Sequence, residues 1–421
     1  MKSKSNVILL GLLAGLLGNL GCSSLTSEKR IRHFVQAHYS VSEPEFSNSI
    51  SHVLGPPLVE GNQIDVLVNG DQVFPAMLAA IRGAQKSITL ETFIWKSGEV
   101  TREFAAALSE RAQAGVKVHI LVDTMGSSKF SRRDIRQLRK AGAEFVKFNF
   151  PLPLKLLRIN HRTHRKIMVV DGKIGFTGGV CLADEWQGNA DPGHWRDTHF
   201  RIQGPVVAQM QTAFLDNWLQ ARSQILHGEN YFPQLHTAGP TSAQFFKSGA
   251  RDGAENALVS YLLAIAAARA NIRLEHAQFV PNNLLVKALL DARQRGVKIQ
   301  VVVPARLDNY AVRMASRSRY GPLLAAGIEI FEYQPTRLHC KIMIVDDLWA
   351  TAGSVNFDER SFRINGEANM NVLDGGFAAR LTRLFEEDKG NSRQVTLEDF
   401  KKRNWLVKGF DHLMGFFRSQ L

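Results

Sequence analysis

Six residues between Leu338 and Phe362 carry the types and spacing that could do chemistry. His339, Lys341, Asp346, Gly353, Ser354 and Asn356 fall in the pattern H-x-K-x4-D-x6-G-S-x-N. Side chains on an extended strand repeat every two residues, so His339 and Lys341 share a face. An imidazole is then held beside a fixed ammonium, an arrangement suited to a phosphate. The Gly353-Ser354 turn offers backbone N–H groups and a hydroxyl, and Asn356 an amide, which together would make a donor-rich cradle for an anion. Surface His and Lys are common, so a single H-x-K would equally describe a core strand with two polar residues at its edge.

A second copy changes the odds. His164, Lys166 and Asp171 repeat the spacing, IMVVD recurs as IMIVD, and Gly178-Gly179 follows the first copy as Gly353-Ser354 follows the second. Two His–Lys pairs on one phosphate permit a two-step displacement. One imidazole attacks phosphorus and forms a phosphohistidine while the other protonates the leaving alcohol. The second imidazole then takes the proton of the incoming alcohol or water. The lysines neutralise the non-bridging oxygens, work that a divalent metal does elsewhere. Asp171 and Asp346 lie an odd number of residues from their histidines, so on a straight strand they face elsewhere and read as structural.

The elements that must position these pairs also come in duplicate. Strands are expected over Ile64–Val68, Ser87–Ile94, Val116–Val122 and Ala143–Phe148, alternating with helices over Val73–Ala84, Glu99–Ala114 and Arg132–Lys140. The second half repeats the order, with helices over Asn256–Ala268, Asn283–Arg295 and Arg313–Ala326 and strands over Asn271–His276, Val297–Val303, Ile328–Phe331 and Ile342–Val345. ITLETF answers IRLEHA, and AGVKVHILV answers RGVKIQVVV. Strand–helix alternation predicts an α/β fold: two homologous lobes, each a mixed sheet flanked by helices, packed about a pseudo-two-fold axis around one shared site. The expected division is a signal-like segment at 1–22, a linker with one short helix at 23–58, lobes at 59–235 and 236–392, and an amphipathic tail at 393–421.

With 421 residues, 45% of them hydrophobic and 22% charged, the chain is globular and long enough for two cores. The 52 basic residues exceed the 39 acidic ones, giving a net charge of +13 and favouring anionic partners: phospholipid surfaces, nucleic acid or phosphorylated substrates. Three cysteines give neither a disulfide framework nor a zinc spacing, so no metal or other cofactor is expected. Cys340 faces away from His339 and Lys341, as a small core residue would.

Lys2 and Lys4, the apolar run Val7–Leu17 and Gly21-Cys22-Ser23-Ser24 resemble a bacterial lipoprotein signal, with Cys22 the lipidated residue. An uncleaved anchor is the alternative. PLPLKLLRINHR, from Pro151 to Arg162, reads as a rim touching lipid or as a buried loop. Asn404–Leu421 reads as an interfacial helix or as a helix docked on the body.

The doubled motif resembles the phospholipase D superfamily and, more narrowly, its bacterial cardiolipin synthases, from about Val66 to Glu387. THRKIMVVDGKIGFTGG with Asp184-Glu185-Trp186, HWRDTHFRIQGPVV and SVNFDERSFRINGEANMNV carry that narrower likeness. The resemblance implies catalytic roles for His164, Lys166, His339 and Lys341, with Asp197 orienting His339 and Glu367 orienting His164 from the opposite half. It implies phosphate binding by Ser354, Asn356 and Gly179. The first copy departs from the pattern with Gly179 and Cys181 where the second has Ser354 and Asn356. The implied activity joins two phosphatidylglycerols into cardiolipin and glycerol. A phospholipase D-type hydrolase of phospholipid or nucleic acid is the alternative, and a non-catalytic lipid-binding protein fits the intact His–Lys pairs less well. Expected partners are anionic phospholipid and a membrane surface in the bacterial cell envelope. The signal-like N-terminus and the apolar tail speak against nucleic acid.

Overall fold

The computed structural model describes residues 31, 33, 35–36, 38–148, 161–249, 255–307 and 310–403. The first half contributes strands β1 (Val59–Val68), β2 (Ser87–Thr92), β3 (Lys117–Asp123), β4 (Glu144–Phe148), β5 (Ile167–Val170), β6 (Ile174–Gly178) and β7 (Thr198–Gln203). The second contributes β8 (Thr241–Ser248), β9 (Asn271–His276), β10 (Phe279–Val280), β11 (Lys298–Pro304), β12 (Glu329–Tyr333), β13 (Lys341–Val345), β14 (Trp349–Gly353), β15 (Phe357–Asp358), β16 (Glu367–Leu373) and β17 (Ser392–Val395). Apart from the short parallel pair β10–β15, these strands form one sheet in the order β17-β12-β11-β9-β13-β14-β16-β8-β1-β7-β6-β5-β2-β3-β4.

That order is nearly a palindrome about the β8–β1 seam. β2-β3-β4 on one side and β9-β11-β12 on the other are parallel, as crossover helices require, while the strands nearer the seam run antiparallel. The seam itself is antiparallel and irregular between Val59 and Asn62. The two duplicated lobes are therefore joined edge to edge into one mixed sheet.

Apart from Lys341 at the start of β13, the motif strands are apolar because both of their faces are covered. On β13, Met343 and Val345 enter a core shared with Leu258, Leu285 and Leu289. Ile342 and Ile344 face the other way, into a layer with Phe377, Leu381 and Phe385 that also takes in Ile167, Val169 and Phe200 of the first half. Met168 and Val170 of β5 enter the first half's own core with Phe104 and Leu108. The lobes thus share one of the layers on which the motif strands rest.

Local chemistry accounts for the element ends. The helices Glu99–Gln113 and Asn283–Gln294 stop before Gly115 and Gly296, which sit at φ +91° and +94° with open space where a Cβ would be. Backbone conformation, not crowding, demands glycine there. Ser131 caps the helix Arg132–Lys140 by accepting the Asp134 N–H.

Four expectations are corrected. The single helix expected over Arg313–Ala326 is two, Tyr310–Ser318 and Tyr320–Ala325. Pro322 has no N–H for the Ser318 carbonyl, so the ladder breaks there. The strand expected to reach Ile94 leaves the sheet after Thr92. Within the expected linker 23–58, the helix Pro44–Leu54 is docked rather than free: Phe46, Ile50 and Leu54 are buried in the second lobe's core, and Phe46 packs edge-on against Trp349 at 5.9 Å. The expected tail boundary at 393 cuts β17, which pairs with β12 as an edge strand of that lobe. The Cys22 segment, residues 151–160 and Asn404–Leu421 lie outside the described residues.

Candidate active site

Each motif histidine sits on the segment leading into its strand, and each segment pairs with backbone from the opposite lobe. His164 N–H donates to the Gly366 carbonyl at 2.7 Å and Gly366 N–H to the Arg162 carbonyl at 2.8 Å. The second half mirrors this, with His339 N–H to the Arg196 carbonyl at 2.7 Å and Arg196 N–H to the Arg337 carbonyl at 2.9 Å. The residue after each partner is a carboxylate, Glu367 in one case and Asp197 in the other. Both are fully buried.

Orientation follows from that register. His164 Nδ1 lies 2.9 Å from Glu367 Oε2, and His339 Nδ1 lies 2.8 Å from Asp197 Oδ2. An Nδ1–H given to a carboxylate leaves the Nε2 lone pair as the reactive nitrogen. Each lysine folds back on its own histidine: Lys166 Nζ donates to the His164 carbonyl at 2.6 Å and Lys341 Nζ to the His339 carbonyl at 2.5 Å. Lys341 Nζ also lies 3.0 and 3.2 Å from the two ring nitrogens of His339.

Burial lowers the His164 pKa to about 4; Lys166 and Lys341 add to this and Glu367 opposes it. Burial, Lys341 and Arg337 push His339 well below its ordinary value, with Lys166 and His164 contributing. Each pair thus feels the other's charge, as groups around a shared centre do. Burial also lowers Lys341 to about 8, against the pull of Asp197. The two carboxylates diverge. Burial raises Asp197, whereas for Glu367 the burial effect is outweighed by His164, Lys166 and Ser354, leaving it below the ordinary carboxylate value. Burial thus favours the neutral form of both imidazoles, the form that attacks phosphorus.

Two residues expected to bind phosphate have their polar groups committed elsewhere. Ser354 Oγ donates to Glu367 Oε2 at 2.5 Å and accepts the Ala368 N–H at 3.0 Å, while its own N–H goes to the Ala368 carbonyl. The Gly179 N–H is taken by the Thr198 carbonyl at 3.1 Å. A Cβ on Gly179 would come 2.1 Å from Asp197 Oδ1, so glycine here makes room for the carboxylate. Asn356 is placed differently: with His164 it lines a cavity of about 230 Å³, and its buried Oδ1 has no hydrogen-bond partner among the described residues. Cys181 is buried in the first lobe's core, and Cys340 in the layer the lobes share.

Asp171 and Asp346 do matching work away from the site. Asp171 accepts the N–H groups of Gln85, Lys86 and Ser87, and Asp346 those of Arg269, Ala270 and Asn271. Each therefore holds the turn ahead of the neighbouring parallel strand, both from φ +52°.

Several site residues have roles that the sequence reading did not assign. Phe93, where the chain leaves the sheet, packs edge-on to His164 at 4.9 Å. Trp186 and Trp195 flank His339 at 5.1 and 5.3 Å, and Trp186 Nε1 donates to Asp197 Oδ2 at 2.8 Å. Arg162 and Arg337 stand two residues ahead of their histidines, so the repeated unit is R-x-H-x-K, a signal readable from the two copies side by side. Arg196 crosses between lobes, with Nε 3.1 Å from Asp388 Oδ1. Among the described residues no three His, Cys, Asp or Glu side chains are grouped to hold a metal ion.

Duplicated sheets with their His–Lys pairs brought to one centre define a phospholipase D-like protein. The family described as cardiolipin synthase, PLD-like domain matches residues 77–214 and 261–389, and the chain belongs to it. It is 34% identical to cardiolipin synthase 2 of Staphylococcus epidermidis over 83% of this chain and 73% of that protein. It is 35% identical to the major cardiolipin synthase of Bacillus subtilis over 82% and 72% of the respective chains. The fold is similar to that of the phosphatidylserine synthase of Haemophilus influenzae, with a TM-score of 0.68 at 13% identity over 90% of this chain and all of that one.

Proposed function

We propose that the chain is a cardiolipin synthase-like phosphatidyltransferase, which joins two phosphatidylglycerols with release of glycerol. The observation that carries this is the crossed pairing His164–Glu367 and His339–Asp197, which arms two neutral imidazoles at one centre between the lobes. The relatives' names supply the lipid class.

The geometry supports a two-step displacement. Nε2 of one imidazole attacks the phosphorus of the first lipid; a P–N bond forms, the P–O bond to glycerol breaks, and the second imidazole protonates the departing oxygen. The second imidazole then takes the proton of the acceptor's hydroxyl, whose oxygen attacks phosphorus and breaks the P–N bond. Lys166 and Lys341 offset charge on the non-bridging oxygens throughout. A bound phosphodiester anion offsets the lysines' effect on the imidazoles, so the acid imidazole gains its proton as substrate arrives. Asp197, Glu367, Ser354 and Gly179 act through the imidazoles as positioning residues, and Asn356 faces substrate.

Labelled phosphatidylglycerol given to the purified protein should yield cardiolipin and glycerol. Phosphatidic acid as the sole labelled product would replace transfer with hydrolysis. Association with a membrane of the cell envelope belongs to the same proposal, with Cys22 as lipid attachment site; no helix among the described residues is long and apolar enough to cross a membrane. Mass spectrometry of the native N-terminus tests this, and an unmodified terminus retaining Lys2 and Lys4 would exclude the anchor.

A further inference from the structure

The helix Arg132–Lys140 carries a charge pattern that neither the fold nor the site uses. Arg132, Arg136 and Lys140 fall in one row at the four-residue helical spacing, with Arg133 and Arg139 beside it, and all five are exposed. The helix's one carboxylate, Asp134, is buried, and Lys129 is exposed in the loop just ahead. Arg132, Arg133, Arg136 and Lys140 have no carboxylate partner among the described residues. Like charges four residues apart weaken a helix, so a stripe of this kind costs stability unless something anionic lies against it.

The stripe begins beside the reacting centre. Asp123, the last residue of β3, accepts the Met125 and Gly126 N–H groups with Oδ1, at 2.9 and 3.0 Å, and the Thr163 N–H with Oδ2, at 3.0 Å. Thr163 precedes His164, so the loop from β3 into the helix is tied to the first imidazole's own segment. Met125 on that loop is 50% exposed. The loop after β11, the strand that answers β3, matches it with an exposed Arg306 and with Tyr310 at 65% exposure. Exposed large apolar side chains are few among the described residues, and these two follow corresponding strands.

We propose that the basic face of this helix and the loops after β3 and β11 form the surface that lies on a bilayer of anionic lipid, which supplies the imidazoles from its headgroup layer. The inference rests on the lipid reading above and specifies the face that meets the membrane.

Charge and apolarity together select a bilayer. Guanidiniums bind phosphate oxygens through paired hydrogen bonds, and each basic group near an anionic headgroup layer adds to the attraction. A nucleic acid would satisfy the same arginines but offers nothing to the Met125 thioether. The edge of a hydrocarbon layer takes in both a methionine and the ring of a tyrosine whose hydroxyl stays among the headgroups. The attachment proposed at Cys22 does not replace this surface, because a single anchor limits distance from the membrane without choosing the face turned toward it.

The test measures partition onto vesicles. Full-length protein carrying Cys22→Ala, so that no lipid attached there masks the effect, is sedimented with vesicles of phosphatidylserine and phosphatidylcholine or of phosphatidylcholine alone. Phosphatidylserine supplies the charge without being the proposed substrate. Adding Arg132→Gln, Arg133→Gln and Arg136→Gln together should lower partition onto the anionic vesicles by roughly ten- to a hundredfold. Cardiolipin formation from detergent-dispersed phosphatidylglycerol should stay at the parent rate, which also shows that the variant is folded. Met125→Ser with Tyr310→Ser should lower partition onto both kinds of vesicle by about three- to tenfold. The control removes three exposed charges at the opposite ends of the parallel strands, Lys86→Gln, Lys117→Gln and Lys298→Gln, and should change partition by no more than about threefold. Arginine-to-lysine changes at 132, 133 and 136 keep the charge and should partition like the parent. Equal losses in the two glutamine triples, a loss in the lysine triple as large as in its glutamine counterpart, or no loss in any variant would overturn the surface and leave the transferase reading standing. Binding of a single-stranded oligonucleotide that the arginine triple abolishes, with vesicle partition unchanged, would assign the face to nucleic acid instead. A parent chain that partitions as expected yet makes no cardiolipin would overturn the transferase reading and leave the surface standing.

Discussion

The two halves of the site perform the same task with different materials. Around His164 the orienting carboxylate is Glu367, steadied by the Ser354 hydroxyl and, at 3.3 Å, by the Asn365 amide. Around His339 it is the shorter Asp197, steadied by the Trp186 indole and the Thr198 N–H at 2.8 Å. Where the second copy of the motif has Ser354, the first has Gly179, against which Asp197 lies too closely for any side chain. The serine hydroxyl of one half is thus replaced by a tryptophan N–H in the other. What the duplication preserves is the aim of the imidazole, and the residues that achieve it are free to diverge. The surroundings diverge as well: a polar, arginine-lined recess beside His164, and two tryptophans with Arg337 lying 4.1 Å over the Trp195 ring beside His339.

Variants test whether the halves are equivalent in function. The largest effect is expected from the imidazoles: His164→Ala and His339→Ala should each reduce turnover of phosphatidylglycerol by roughly 10⁴-fold or more, with the double variant scarcely worse, because they act in one sequence. Additive losses would mean two separate sites. Next come the carboxylates, where Glu367→Gln and Asp197→Asn should each cost about a hundredfold in kcat. A large loss at one and none at the other would show that only one imidazole needs orienting.

The replacement of hydroxyl by indole N–H gives the finest comparison. Ser354→Ala and Trp186→Phe each remove one donor from a buried carboxylate and should cost a similar, roughly tenfold, amount of kcat. Gly179→Ser should be worse than either, since its Cβ displaces Asp197. Recovery in Gly179→Ser/Trp186→Phe would show instead that a serine can serve the first half as Ser354 serves the second.

The pH profile should be lopsided. Lys341, lowered to about 8 by burial, loses its proton as pH rises through that value, and the site then holds one positive charge fewer for the phosphodiester. kcat/KM should therefore fall on the alkaline side from about pH 8. A profile flat to pH 10 would exclude a role for the Lys341 charge in the free enzyme.

The smallest difference is expected where the halves agree. Asp171→Ala and Asp346→Ala each release three N–H groups and should lower stability by a similar amount, about 1–3 kcal/mol by denaturant titration.

Much of this was legible in the sequence, for physical reasons. The repeated H-x-K fixes two side chains on one face whatever the surroundings, and period-driven elements such as Arg132–Lys140 and Asn271–His276 fall where expected. The crossed pairing of Asp197 and Glu367 came from the family likeness, because no local rule connects residues so far apart in the chain. The partners of Ser354 and Gly179 are not legible for a related reason: spacing tells which donors are near the motif, not which acceptor each one meets. Trp186 enters the sequence reading only as part of a family-like stretch, because nothing local shows that its N–H ends on Asp197. Phe46, Ile50 and Leu54 did carry a helical spacing, but only the exposed second-lobe core explains why so short and polar a segment folds onto it.

The crossed backbone pairing also bears on how the protein comes into being. A chain emerging from its N-terminus completes β1 to β7, with His164 and Lys166 in place, well before Gly366 and Glu367 exist. During that interval the first imidazole has neither the carbonyl that fixes it nor the carboxylate that selects its tautomer, and its partner histidine has not been made. The half-finished molecule is therefore inert toward the lipids around it. Activity is withheld until both lobes have closed in register, so the same contacts that build the catalyst also act as its safety catch.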